Sequence, residues 1–190
     1  MNIVYGGSFN PPTKAHLEIV DTLLLQFPQS KVIILPVGNN YSKKSLINFN
    51  DRFMMLELMF SNNSRVIVSN LEDTNVFKGT YDSLKTLNLE FEDLYLVIGS
   101  DNLHNFNKWI KYQNILKEFS LIIFRRNEDD IAKLMEPFDY LKPNYQIVKF
   151  DNEINSTVIR SDIERYRHYL DTNVYQYIKK NKLYEVDEDV

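Results

Sequence analysis

Between Gly6 and His16 the chain reads GGSFNPPTKAH. The two glycines and Ser8 follow a short apolar run, Ile3-Val4-Tyr5, and a helical pattern begins near Thr13. A strand that turns through small residues into a helix gathers backbone N–H groups at the positive end of the helix dipole. Such a point is a natural phosphate site. His16 falls on the first turn of that helix. The dipole biases an imidazole there toward its neutral form, and bound phosphates reverse the bias. His16 would then donate a hydrogen bond to oxygens that gather charge as a phosphoryl-type bond breaks. Two other nucleotide loops are excluded. A Walker A loop needs Gly directly before its Lys, and here Thr13 precedes Lys14; the dinucleotide pattern GxGxxG has no match at Gly6-Gly7-Ser8. Thr13 suits a helix cap or a phosphate donor, and Lys14 a phosphate contact or a solvated surface position.

A second group of anion-seeking residues lies near the C-terminus, in INSTVIR, Ile154 to Arg160. Ser156 and Thr157 offer hydroxyls and helix N-terminal amides. Arg160, one turn on, offers a guanidinium fork matched to phosphate oxygens. Asp101 closes a strand-like run, Leu94 to Ile98, followed by Gly99. It suits a ribose hydroxyl or the N-cap of a helix over Asn102–Phe106. Lys43, Lys44 and Arg52 are cations that suit a second phosphate. No His, Asp or Glu cluster has metal-ligand spacing, so Mg²⁺ is expected to ride on nucleotide phosphates and water.

The N-terminal loop resembles the nucleotidyltransferase superfamily pattern GxFDPxHxGH, with Thr permitted at the first His. The matching positions are Gly7, Phe9, Asn10, Pro11, Thr13, Ala15 and His16. INSTVIR resembles the same superfamily's ISSTxIR. Along most of its length the chain is similar to the bacterial nicotinate-nucleotide adenylyltransferases. Thr80-Tyr81-Asp82-Ser83-Leu84 matches their SYTxDTL stretch one residue short. LYLVIGSDNLHNFNKW supplies their GxD and following Trp, as Gly99, Asp101 and Trp109. The chain departs from these patterns at Asn10 for Asp, Thr13 for His, Ala15 for Gly and Asn155 for Ser.

The resemblance implies an adenylyl transfer from ATP to nicotinate mononucleotide, giving nicotinate adenine dinucleotide and pyrophosphate, a step of NAD synthesis. It implies an ATP site at Gly7, Ser8, Phe9, Thr13, His16, Gly99, Asp101, Ser156, Thr157 and Arg160, with His16 catalytic. It implies a mononucleotide site at one of Lys43 and Lys44 with Arg52, Thr80, Tyr81 and Trp109. Trp109 would stack on the pyridine ring, and backbone amides near Thr80-Tyr81 and Trp109 would face the carboxylate. Nicotinamide mononucleotide or phosphopantetheine as acceptor, or a non-catalytic nucleotide sensor, are the competing readings.

These residues need elements to hold them. Six β-rich runs, Ile3–Tyr5, Lys31–Leu35, Arg65–Ser69, Leu94–Ile98, Ser120–Phe124 and Gln146–Phe150, alternate with helical patterns. Named helices are one from Thr13 through Phe27, then Phe49–Phe60, Tyr81–Leu89, Thr157–Arg167 and Asn173–Asn181, with Asn155 or Ser156 and Asp171 or Thr172 as caps. The alternation predicts a Rossmann-like, doubly wound α/β fold with a mainly parallel sheet, helices on both faces and a small C-terminal helical segment. Gly6–Ser8, Pro36–Asn40, Gly99–Asp101 and Arg125 all follow strands, and so are expected to share one crevice. The charged segment Arg126 to Pro143 reads as a surface excursion.

A chain of 190 residues fits one domain: an α/β core to residue 150, a helical part over 151–184 and an acidic tail over 185–190. The formal charge is −4, and Glu185, Asp187, Glu188 and Asp189 account for all of it. A neutral body argues against nucleic acid as a partner. No apolar run approaches the roughly 18 residues of a membrane span. The N-terminus has no signal-peptide pattern. Cysteine is absent, which excludes a thiolate nucleophile and fits a cytoplasmic setting.

Overall fold

The structure, a computed structural model, describes residues 1–40, 46–74, 76–126, 128–150 and 156–185. Strands β1 (Asn2–Gly7), β2 (Lys31–Pro36), β3 (Val66–Val68), β4 (Leu94–Gly99), β5 (Ser120–Arg125) and β6 (Tyr145–Lys149) form one parallel sheet in the order β3-β2-β1-β4-β5-β6. All six expected strands are present. Their apolar residues run nearly unbroken because both faces are covered. Val32 and Ile34 of β2 enter one core, while Ile33 and Leu35 enter the other.

Helices α1 (Lys14–Gln26), α2 (Phe49–Phe60), α7 (Ser156–Ser161) and α8 (Thr172–Lys180) bury Val20, Leu56, Ile159 and Val174 on the first face. Helices α3 (Thr80–Leu87), α4 (Ser100–Leu103), α5 (Tyr112–Glu118) and α6 (Ile131–Met135) bury Leu84, Leu103, Ile115 and Met135 on the second. Chain order reverses between β1 and β4, so the crevice expected at such a switch point opens beyond Gly7 and Gly99. Among the described residues no helix is long and apolar enough to cross a membrane.

Three expectations are corrected. Arg126 to Pro143 is not a surface excursion: α6 and a 3₁₀ turn over Glu136–Leu141 send Ile131, Met135 and Phe138 into the second core. The helix from Thr157 stops at Ser161, not Arg167. Ser161 Oγ donates back to the Val158 carbonyl at 2.7 Å, and Asp162 Oδ1 accepts the Arg165 N–H at 2.9 Å. Both side chains compete with the helical ladder and end it. Finally, Asp101 lies within α4, whose N-cap is Gly99. The cap at Asp171 is as expected, its Oδ1 accepting from Asn173 N–H at 2.8 Å. Lys43, Lys44, Asn155 and residues 186–190 of the acidic tail lie outside the described residues.

Candidate active site

The loop from β1 to α1 carries the first motif. Phe9 takes a left-handed backbone, φ 46°, and the Asn10–Pro11 peptide is cis. Thr13 is the extended N-cap of α1, and His16 stands at its N3 position. There His16 does what Glu or Gln does in a capping box, turning back to the N-cap amide. The Thr13 N–H donates to His16 Nδ1 at 2.9 Å, and Thr13 Oγ1 lies at the same distance from that nitrogen. An Nδ1 that accepts carries no proton, so the tautomer is fixed with its hydrogen on Nε2. Burial, and then the positive charge of Arg126, push the imidazole down to about 4. His16 is therefore a neutral Nε2–H donor at neutral pH. Its ring is held edge-on by Phe9, with centroids 5.1 Å apart.

The second motif is fastened onto the first. Ser156 Oγ donates to the Pro11 carbonyl at 3.1 Å. Arg160 donates from Nη1 to the Asn10 carbonyl and from Nη2 to Thr157 Oγ1 at 3.2 Å. Ser156 thus uses its hydroxyl across the fold rather than as a cap for its own helix. Lys14 likewise reaches the His168 carbonyl at 2.8 Å.

Beside this loop lies a cleft of about 860 Å³. Gly7, Ser8, Gly99, Asp101, Thr80 and Trp109 line it, whereas Phe9, Thr13, His16, Ser156, Thr157 and Arg160, expected in the same site, lie in the adjoining loop, α1 and α7 and do not line it. Its walls come from both cores. Tyr5, Ile19, Phe124 and Phe150 belong to the first face. Leu35, Leu96, Ile98 and Trp109 belong to the second. The cleft thus has two sides, or lobes, one lined from each core, and both carry apolar side chains suited to flat rings. A Cβ on Gly99 would meet the exposed Asp101 carboxylate, which would have to turn away. On the far wall the α3 N-terminus opens at Gly79, φ 97°, which packs directly on Ile110 beside Trp109. That helix start presents amides and a positive dipole end to the lobe that Trp109 lines.

Two expected mononucleotide residues face elsewhere. Arg52 is fully buried and does not line the cleft. Its Nε, Nη1 and Nη2 donate to the carbonyls of Ile47, Ser8 and Val37 at 3.1, 3.0 and 2.7 Å. It is a brace behind the loop. A trans peptide sets its N–H opposite its C=O, so fixing the Ser8 carbonyl at the back turns the Phe9 amide forward. The Tyr81 side chain also points away, donating to Glu118 Oε1 at 2.7 Å and packing on Phe119.

Arg126 was missed by sequence reasoning. It lines the cleft, with Nε 3.6 Å from Asp101 Oδ1. Its own N–H donates to Ser100 Oγ at 3.0 Å, and Ser100 Oγ donates to Asp129 Oδ2 at 2.6 Å. Arg125, the expected strand-end cation, pairs instead with Glu128 at 2.7 Å. Only position after a strand could have flagged Arg126, and that signal does not separate two adjacent arginines. Among the described residues no three His, Asp or Glu side chains are placed to hold a metal ion.

Comparison with known proteins gives the following. A family model described as cytidylyltransferase-like matches residues 4–162. A probable nicotinate-nucleotide adenylyltransferase of Acholeplasma laidlawii is 38% identical over 190 residues, covering 97% of this chain and 98% of that one. One from Fusobacterium nucleatum is 34% identical over 169 residues, covering 85% and 86%. Among solved structures, the Plasmodium falciparum nicotinic acid mononucleotide adenylyltransferase complexed with NaAD aligns with a TM-score of 0.81. It is 26% identical, over 96% of this chain and 97% of that one.

Proposed function

The chain belongs to the cytidylyltransferase-like family and, within it, to the nicotinate-nucleotide adenylyltransferases, and from that premise we propose how its site joins ATP to nicotinate mononucleotide. A phosphate oxygen of nicotinate mononucleotide attacks the α-phosphorus of ATP. The bond from that phosphorus to the bridging oxygen breaks, and pyrophosphate leaves with the electron pair. The products are nicotinate adenine dinucleotide and pyrophosphate, in NAD biosynthesis.

The attacking phosphate is already anionic, so no general base is needed. The protein has to align two phosphates and meet the charge that builds on the leaving group. His16 does the second task with its Nε2–H, held in aim through Nδ1 by the Thr13 amide. The phosphate loop at Gly7, Ser8 and Phe9 receives the triphosphate on backbone amides. Arg160 and Ser156 hold that loop, and Thr157 with the remaining guanidinium N–H groups faces the phosphates. Arg126 neutralises charge across the cleft, and Asp101 accepts from a ribose hydroxyl. ATP enters as its magnesium complex, the ion bound by phosphate oxygens and water.

The nicotinate ring occupies the lobe lined by Trp109 and Thr80, with its carboxylate toward the α3 amides. Arg52 and the Tyr81 side chain have no direct part. The observation that carries this reading is the fastening of Ser156 and Arg160 onto the Pro11 and Asn10 carbonyls, which brings both motifs together near His16 and supports reading them as one anion site. The test is incubation with ATP and each of three acceptors: nicotinate mononucleotide, nicotinamide mononucleotide and phosphopantetheine. Pyrophosphate release with nicotinate adenine dinucleotide as the main product is expected. Binding of ATP without turnover on any acceptor would leave a nucleotide sensor instead.

A further inference from the structure

We infer that Tyr184 is a positioning residue for the phosphate loop, through which the chain end after α8 sets the aim of His16. After Lys180 the chain folds back, with the Leu183 N–H donating to the Ile178 carbonyl at 3.0 Å. Lys182 and Tyr184 both sit in the left-handed region, φ 50° and 63°. That conformation is uncommon for non-glycine residues, and a contact that holds it is worth identifying. Here the contact is made by the Tyr184 side chain. Its ring packs on the first core, and its hydroxyl donates to Asn10 Oδ1 at 2.8 Å. Burial raises the phenol well above its usual range, so it stays protonated and can donate. The surrounding charges are Arg160 and Arg52, which favour the phenolate, and Asp51, which opposes it.

Asn10 is thereby gripped at both ends. Arg160 holds its main-chain carbonyl, and Tyr184 holds its side chain together with the Ile47 N–H, which donates to the same Oδ1 at 3.5 Å. Phe9 precedes it in the left-handed turn, and three residues on is Thr13, whose amide orients His16. α8 anchors the grip, since Tyr177 OH donates to Asp51 Oδ1 of α2 at 3.0 Å. Tyr184 itself is given no contact with substrate in the proposed reaction. Its effect passes through Asn10 to the loop, so its loss should weaken transition-state alignment more than ground-state binding.

The inference rests on the adenylyltransferase reading, and the experiment separates the two. Wild type, Tyr184→Phe, Asn10→Ala and the double variant are compared by kcat, by KM for ATP and nicotinate mononucleotide, and by Tm. Tyr184→Phe removes one oxygen and keeps the ring in the core. A fall in kcat of about tenfold is expected, equivalent to ~1.4 kcal/mol. Both KM values should stay within about twofold. The double variant should be no slower than Asn10→Ala alone, because Tyr184 acts on the loop only through Asn10. Asn10→Ala also frees the Ile47 N–H, so it should be at least as slow as Tyr184→Phe, and a wild-type kcat in it overturns the inference as well. An unchanged kcat in Tyr184→Phe, or losses that multiply in the double variant, overturns the inference while the activity stands. Absence of turnover in wild type overturns the reading and the inference with it.

Discussion

In the proposed reaction His16 acts as a neutral donor, because its Nδ1 already accepts from the Thr13 amide. His16→Ala should fold, with a loss of about 1 kcal/mol from the missing cap contact. Its kcat should fall by about 10²-fold or more, with little change in ATP affinity, because the bond tightens as charge builds on pyrophosphate. Turnover within a few-fold of wild type would remove His16 from the chemistry. The same residue makes an acid-side prediction. Its folded pKa of about 4 lies below the ordinary 6.5, so between those values the unfolded chain binds the extra proton. The stability it contributes is full above pH 6.5 and is lost as pH falls toward about 4. A Tm profile over that range should be flatter in His16→Ala than in wild type. Parallel profiles would place the imidazole in solvent.

At the scale of elements, the loops are braced from behind by long side chains. Arg52 ties the ends of β1 and β2 to the approach of α2. Arg52→Ala strands three carbonyls and leaves a cavity, so a loss of at least ~3 kcal/mol in urea unfolding is expected. A stable variant with only a raised KM for nicotinate mononucleotide would return Arg52 to the substrate. Gly79 is the second junction. An added Cβ would lie 2.9 Å from Ile110 Cβ, at a φ that L-residues avoid. Gly79→Ala should cost about 1–2 kcal/mol and push the Trp109–Ile110 wall from α3. KM for nicotinate mononucleotide should rise several-fold while KM for ATP holds; equal effects on both would mean that the lobes are not separate sites.

These elements show what a sequence carries. The strands were legible because β-branched, apolar runs in Val32–Leu35 or Leu121–Phe124 have no other buried use in an alternating chain. The motif residues Gly7, Ser8, Gly99, Asp101, Thr80 and Trp109 were legible as spacing and do line one cleft. Arg52 was not, since a guanidinium suits a phosphate and three carbonyls equally, and only its burial decides. Arg126 and Tyr184 depend on contacts distant in sequence, which no local pattern records. The end of α7 turned on Ser161 and Asp162, each of which also tolerates a helix surface.

Across the whole molecule, the order β3-β2-β1-β4-β5-β6 puts the switch point where two cores meet, and the cleft takes one wall from each. In the proposed reaction one lobe serves the adenylyl donor and the other the acceptor, with the phosphates between them at the loop. On that proposal, acceptor choice follows from the lobe lined by Trp109 and Thr80. Nicotinate and nicotinamide mononucleotides differ by a carboxylate in place of a carboxamide. A carboxylate accepts at both oxygens and is favoured by the positive end of α3, whereas the amide turns a donor toward donors. Each such mismatch costs roughly 1–3 kcal/mol when buried. Two would give on the order of 10²-fold in kcat/KM. The decisive measurement is kcat/KM for the two mononucleotides at saturating ATP. A preference for nicotinate mononucleotide of about 10²-fold or more is predicted, and a ratio near one or reversed would contradict the assignment of that lobe and of the reaction built on it.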